Sequence, residues 1–378
     1  MGEPSVGECV ISGTGLWVPP ERISNAELVA SLSTATERWN LDHKAEIEAG
    51  RLEARDLPSE RFIVKASGVE SRYVIDKQGV LDPERLRPHL PTRAEDQPSI
   101  QCEISVAAAR EALGQAGRRG DEVDAVLVAC SNLQRAYPAV AIEVQHALGA
   151  SGFAYDLNVA CSSATFGIQA AVDAVARGHA RCALVINPEL TSGHTNFALR
   201  DYHFIFGDAC TATLVERADD CRAAAPFAVL GTRLATRFSN NIRNDFGFLN
   251  WCEDEPRDPH ELVFRQNGRR VFREVCPMVA ELILDHLREL GLAPGELRRM
   301  WLHQANLAMN QLIAKTVLGR APEPDEAPVI LDEFANTSSA GSVIAFHRHR
   351  EDLAPGDLGV ICSFGAGYSI GSAIVRKV

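Results

Sequence analysis

Aromatic residues make up only 6% of the chain, and no apolar run approaches the roughly 18 residues that a membrane span requires, so no membrane partner is expected. The N-terminus lacks a basic stretch leading into an apolar core. Glu3, Pro4 and Glu8 stand there instead, and no secretory signal is expected. The ten cysteines include no Cys-x-x-Cys pair. In a chain of 378 residues this points to a reducing, cytoplasmic setting rather than a disulfide framework. His347 and His349 are the only close histidine pair; their charged helical segment brings no Cys or other His beside them, so a solvated face and no metal site are expected. Positive charge is also scarce. The net charge of −12 argues against nucleic-acid partners and obliges any acidic partner to dock on a local basic patch. What remains is 46% hydrophobic and 23% charged, ordinary for a globular enzyme and long enough for two domains or one large α/β unit.

Within that chain, Cys161 ends an apolar, β-prone run (152–159) and precedes a helical pattern of Ala164, Ile168, Ala171, Val172 and Val175, closed by Gly178. A thiol at a strand-to-helix turn lies at the positive end of a helix dipole, which predicts a depressed pKa and a nucleophilic thiolate. Two further segments place polar residues in the same way: His303 ends the run 300–303, and Asn336 follows the run 329–334. Sheet ends are where α/β proteins put chemistry. The order of elements also repeats. Each half shows a helix pattern (104–116 and 271–290), a strand-like run (123–131 and 299–303), a small-residue turn (Cys161-Ser-Ser-Ala and Asn336-Thr-Ser-Ser-Ala), a helix and a last strand (182–187 and 358–364). Alternating strands and helices predict mainly parallel sheets covered by helices. The halves are expected to divide at 1–217 and 218–378. Segments 41–60 and 77–99 read as surface insertions, the second as loop. Segment 238–262, with Phe246, Phe248 and Trp251, reads as a tunnel wall or dimer contact.

The Cys turn, His303-Gln-Ala-Asn306, the Asn-Thr-Ser-x-x-x-Ser-Val segment (336–343) and Phe-Gly-Ala-Gly-Tyr-Ser-Ile-Gly (364–371) together resemble the active site of β-ketoacyl-acyl-carrier-protein synthase III, in the thiolase superfamily. The resemblance runs from Ile11 to Val378, broken by insertions. It implies the five-layered α-β-α-β-α thiolase fold, a homodimer and a decarboxylating condensation of an acyl-CoA primer with malonyl-acyl-carrier protein, with no cofactor. Cys161 would carry the acyl group. The N–H groups of Cys161 and Ala366 would form the oxyanion hole, and His303 and Asn336 would hold the enolate. An acyltransferase using the same acyl-Cys intermediate, or a non-catalytic acyl-binding homologue, are the alternatives. Tyr137 matches an aromatic that closes the partner's acyl pocket.

Departures from the family pattern concern docking. Ala308 stands where a carrier-docking Arg is usual. Phe62 and Ala66 replace the usual Trp and Arg that contact the CoA nucleotide, with Lys65 adjacent. Arg269, Arg270, Arg273 and Lys315 are candidate replacements. Head-to-head condensers add a Glu base; segment 133–141 contains no carboxylate, although Glu143 lies just beyond.

Overall fold

The computed structural model describes residues 9–378, so the stretch holding Glu3, Pro4 and Glu8 lies outside the described residues. Cys9–Trp17 and Ala209–Arg217 run antiparallel through the middle, and Ala209 to Glu216 are buried without interruption. Unbroken burial marks a strand covered on both faces. On one side of this pair follow Cys182–Glu189, Ala125–Ala129 and Phe153–Leu157; on the other follow Phe227–Ser239, Gly367–Lys377, Leu358–Gly365 and Leu297–Leu302. Among the described residues, the two groups pair through Val10↔Ala228 and Ile11↔Phe227. We propose that the halves divide here, as 1–217 and 218–378.

Three hydrophobic clusters give the layers. Ile100–Ala116 and Val140–Leu148 cover the outer face of the N-terminal strands. Gly268–Glu289 and Leu307–Leu318 cover the outer face of the C-terminal ones. Between the sheets lie Ser163–Ala176 and Ala340–Arg348, in one core that draws on both halves. This is the α-β-α-β-α arrangement. Ile168, Ala171, Val172 and Val175 face inward as their spacing predicted.

The expectation of mainly parallel strands was wrong. Within the nine-stranded sheet, five of the eight pairings are antiparallel and three are parallel. Parallel pairs arise where a helix carries the chain back across the sheet. One antiparallel pair comes from a short return, at Gly365-Ala366-Gly367 between the last two strands; the others join strands further apart along the chain. Two smaller expectations also change. Segment 77–99 opens with a short helix, Lys77–Leu81, because the Asp76 side chain caps Gly79 N–H. His347 is half-buried rather than solvated, its Nδ1 lying 2.8 Å from Thr14 Oγ1. No helix among the described residues is long and apolar enough to cross a membrane.

Candidate active site

Cys161 follows the strand Phe153–Leu157 and precedes the helix Ser163–Ala176, as the sequence predicted. Ala160, just before it, is held at φ +47°, a left-handed conformation that costs a non-glycine residue about 1 kcal/mol or more and persists only where neighbours fix it. The Ser338 hydroxyl lies 3.5 Å from the sulfur, and the N–H groups of Ala366 and of Cys161 itself point to it. Gly365 makes that approach possible: a Cβ there would sit 2.6 Å from Cys161 Cβ and 3.0 Å from its sulfur.

The predicted thiol depression is not found. Burial pushes the Cys161 thiol up to about 11, and the nearby carboxylate of Glu189 pushes in the same direction. The Ser338 hydroxyl and the two N–H groups pull the other way. Enclosure opposes the charged sulfur more strongly than these donors and the helix end support it.

His303 ends the strand Leu297–Leu302, its N–H bonded to Cys362 O at 2.8 Å. The ring is buried, stands edge-on to Phe364, and has no partner at Nδ1 among the described residues. Burial lowers its pKa to about 4, so the ring is neutral at ordinary pH. The run before Asn336 is not the strand the sequence suggested, since 331–334 form the short helix Leu331–Phe334, and Asn336 is buried. Its N–H donates to Ile205 O, and its Oδ1 accepts from Ser338 N–H at 2.9 Å. The side-chain oxygen is thereby fixed and the amide NH₂ left to donate. Cys161, His303 and Asn336 share one cavity of about 690 Å³, whose walls include Ile205, Phe206 and Phe364.

Models of the 3-oxoacyl-[acyl-carrier-protein] synthase III family match residues 155–233 and 287–377, the latter as its C-terminal part. The chain is 58% identical to a β-ketodecanoyl-[acyl-carrier-protein] synthase of Pseudomonas aeruginosa, over 92% of this chain and 99% of that one. The chain belongs to the β-ketoacyl-acyl-carrier-protein synthase III family. The fold agrees. The Aquifex aeolicus 3-oxoacyl-[acyl-carrier-protein] synthase III structure covers 97% of this chain and 99% of its own at TM-score 0.75 and 22% identity. The priming β-ketosynthase of the R1128 polyketide pathway covers 100% and 98% at TM-score 0.78 and 23% identity.

At the mouth of this synthase's cavity the sequence reading was incomplete. Phe62 and Arg269 line it, and the Arg200 guanidinium stacks 4.3 Å from the Phe62 ring centroid. That cation–aromatic pair offers a flat face on which a nucleotide could stack, its guanidinium also paired with Asp56 at 3.4 Å. Nothing in the pattern around Arg200 announces it, because the platform forms only when distant segments fold together. Asn306, the last residue of the His-Gln-Ala-Asn motif, donates to Ala66 O at 2.6 Å and so ties the His303 loop to the helix Glu60–Ser67. Gln304 is internal bracing, bonded to Leu302 O and Ile330 N–H.

Lys65, Arg270, Arg273 and Lys315 are exposed and line no cavity described here. Like Arg269, they have no ion pair among the described residues. Lys315 lies on Leu307–Leu318, which packs against the arginine-bearing helix Gly268–Glu289. Tyr137 is 85% exposed and lies outside the cavity that holds Cys161. Phe246 lines a second cavity of about 770 Å³, while Phe248 and Trp251 are exposed. Glu143 is occupied: it accepts from Ser99 N–H at 2.6 Å and pairs with Arg135 at 2.6 Å.

Proposed function

We propose that the protein carries out a decarboxylating condensation, joining a medium-chain acyl primer from acyl-CoA to the two carbons left when malonyl-acyl-carrier protein loses CO₂. The observation that carries this reading is the convergence of Cys161, neutral His303 and Asn336 on one cavity, with the Ala366 N–H aimed at the sulfur. The Cys161 thiol gives up its proton and its sulfur attacks the primer thioester; CoA leaves and takes up a proton to become its thiol, and the acyl group becomes an enzyme thioester. The Ala366 and Cys161 N–H groups stabilise the tetrahedral oxyanion. The malonyl thioester then loses CO₂ to leave an enolate. That oxygen needs neutral donors, which the His303 ring and the Asn336 amide supply. The carbanion attacks the acyl-Cys161 carbonyl, and the Cys161 thiolate leaves as the β-ketoacyl product forms. Loss of CO₂ replaces deprotonation, so the chemistry needs neither a strong base nor a resident cofactor, and the engagement of Glu143 with Ser99 and Arg135 is in keeping with this. The class is then an acyltransferase, acting in the cytoplasm where CoA and carrier-protein thioesters are made.

A primer length for the proposal is supported by the P. aeruginosa relative, whose name specifies a ten-carbon β-keto product. Two of those carbons come from malonate, which leaves a primer of about eight carbons. Mass spectrometry of the protein after incubation with acyl-CoAs of graded length is expected to show one added acyl group, with greatest occupancy near eight carbons. Best acylation by acetyl-CoA would reject the medium-chain reading.

Two further expectations concern the surface. We take Tyr137 to cross a homodimer interface and close the partner's acyl pocket, since it matches the position of such an aromatic in the family and its side chain is free to reach a partner. Tyr137→Ala then extends the longest primer accepted in the same acylation series, and an unchanged length profile assigns the residue to structure alone. Arg269, Arg270, Arg273 and Lys315 are proposed to steer the acidic carrier protein, which raises the association rate. Reversing all four to Glu is expected to raise KM for malonyl-carrier protein about ten-fold or more and to weaken its salt dependence. Self-acylation by acyl-CoA would change less. Equal KM values for variant and wild type would remove the patch from the mechanism.

A further inference from the structure

The strand Cys182–Glu189 is buried throughout and ends in a carboxylate that is only 1% exposed. No basic residue pairs with Glu189 among the described residues. Four donors do, two from each of two serines. Ser131 gives its N–H to Oε1 at 3.0 Å and its hydroxyl to Oε2 at 2.5 Å. Ser339 gives its N–H to Oε1 at 3.1 Å, and its hydroxyl bonds the same oxygen.

These serines lead to the two reactive turns. The Ser131 carbonyl accepts from Asn158 Nδ2 at 2.9 Å, and Asn158 Oδ1 accepts from Ala160 N–H at 2.9 Å. Ala160 is the left-handed residue immediately before Cys161. Ser339 directly follows Ser338, whose hydroxyl reaches the Cys161 sulfur and whose N–H fixes Asn336 Oδ1. Ser338 at φ +50° and Ala335 at φ +55° are also left-handed without being glycine. Three such residues border the two turns, and each needs surroundings that over-determine it. Glu189 is the group from which both sets of bonds extend, one into each half of the fold.

We infer that Glu189 is a positioning residue: its carboxylate clamps the Cys161 turn of one half to the Asn336 turn of the other, setting nucleophile and enolate donor in register. The inference rests on the condensation proposed above. Burial raises the Glu189 pKa, and the serine donors offset part of that rise. The clamp lies away from the Phe62 and Arg200 platform where the CoA end of the primer would dock, so it should govern turnover rather than binding.

The test is steady-state condensation and Cys161 alkylation in Glu189→Ala and Glu189→Gln, beside wild type, with folding monitored by circular dichroism. Glu189→Ala is expected to lower kcat about 30-fold or more while KM for acyl-CoA stays within about two-fold, and to slow alkylation of Cys161. Glu189→Gln keeps an oxygen for the two backbone donors and is expected to recover most of that loss, lying within about five-fold of wild type. A kcat for Glu189→Ala equal to wild type, or a Gln variant as slow as the Ala variant, would overturn the inference. Should Glu189→Ala fail to fold, the double variant Ser131→Ala/Ser339→Ala removes both hydroxyl arms and is expected to lower kcat with KM unchanged; unchanged kcat there also overturns it. Wild type that fails to condense would refute the proposed function instead, so the two failures are distinguishable.

Discussion

Cys161→Ser is expected to abolish the acyl-enzyme: no acyl mass should appear on the protein under conditions in which wild type is fully acylated. Serine keeps the turn and its contacts, but its hydroxyl lacks the nucleophilicity and the accessible anion of a thiol. None of the other nine cysteines substitutes, since none lines the cavity with His303 and Asn336. The same reaction carries a pH signature. With the Cys161 thiol pushed up to about 11 by burial, the thiolate is a minor species through the neutral range and grows about tenfold per pH unit. Self-acylation should therefore rise steadily with pH across neutrality. A plateau reached near pH 6 would mean that the bound primer depresses the thiol strongly. Acyl-enzyme formed at wild-type rate by Cys161→Ser would displace Cys161 from the mechanism.

His303→Ala and Asn336→Ala are expected to separate the half-reactions. Both should still take up an acyl group, because neither residue holds the oxyanion of the acylation step. Both should lose condensation by roughly 10²-fold or more, the usual consequence of removing one donor from a developing oxyanion. The double variant should fall well short of the product of the two losses, since both donors serve one enolate oxygen. The neutral form of His303 persists down to about pH 4, so its donor capacity is retained across the range in which the protein is assayed. Single-turnover measurement with pre-acylated enzyme and malonyl-carrier protein isolates this step. Condensation by Asn336→Ala at wild-type rate would remove the amide from the enolate site.

How much of this was legible in the sequence depends on what each residue needs around it. Cys161 and His303 announced themselves because each follows an apolar run at a strand end; Asn336 shares the pattern although its run folds as the short helix Leu331–Phe334, and order along the chain was enough to pair the two turns. The repeat showed two similar halves and the family resemblance implied the five layers, whereas strand direction followed from neither. A short glycine-rich return such as Gly365-Ala366-Gly367 reverses the chain, and helix–strand alternation alone does not report it. The thiol's upward shift was missed because a sequence shows the helix end, while enclosure by Ser338, Phe364 and Gly365 exists only in the folded state. Arg200 over Phe62 is invisible for the same reason. Glu189 did leave a trace: a lone acid closing the apolar strand Cys182–Glu189 must either reach solvent or be fully bonded.

The most direct test of the account is the intact mass of the carrier protein after malonyl-carrier protein, octanoyl-CoA and enzyme are incubated together. The account predicts a β-ketodecanoyl-carrier species, the malonyl group having lost CO₂ and gained the eight-carbon acyl chain, formed only when Cys161 is present. A carrier that stays malonylated, or free carrier that simply acquires the octanoyl group without a new carbon–carbon bond, would contradict it.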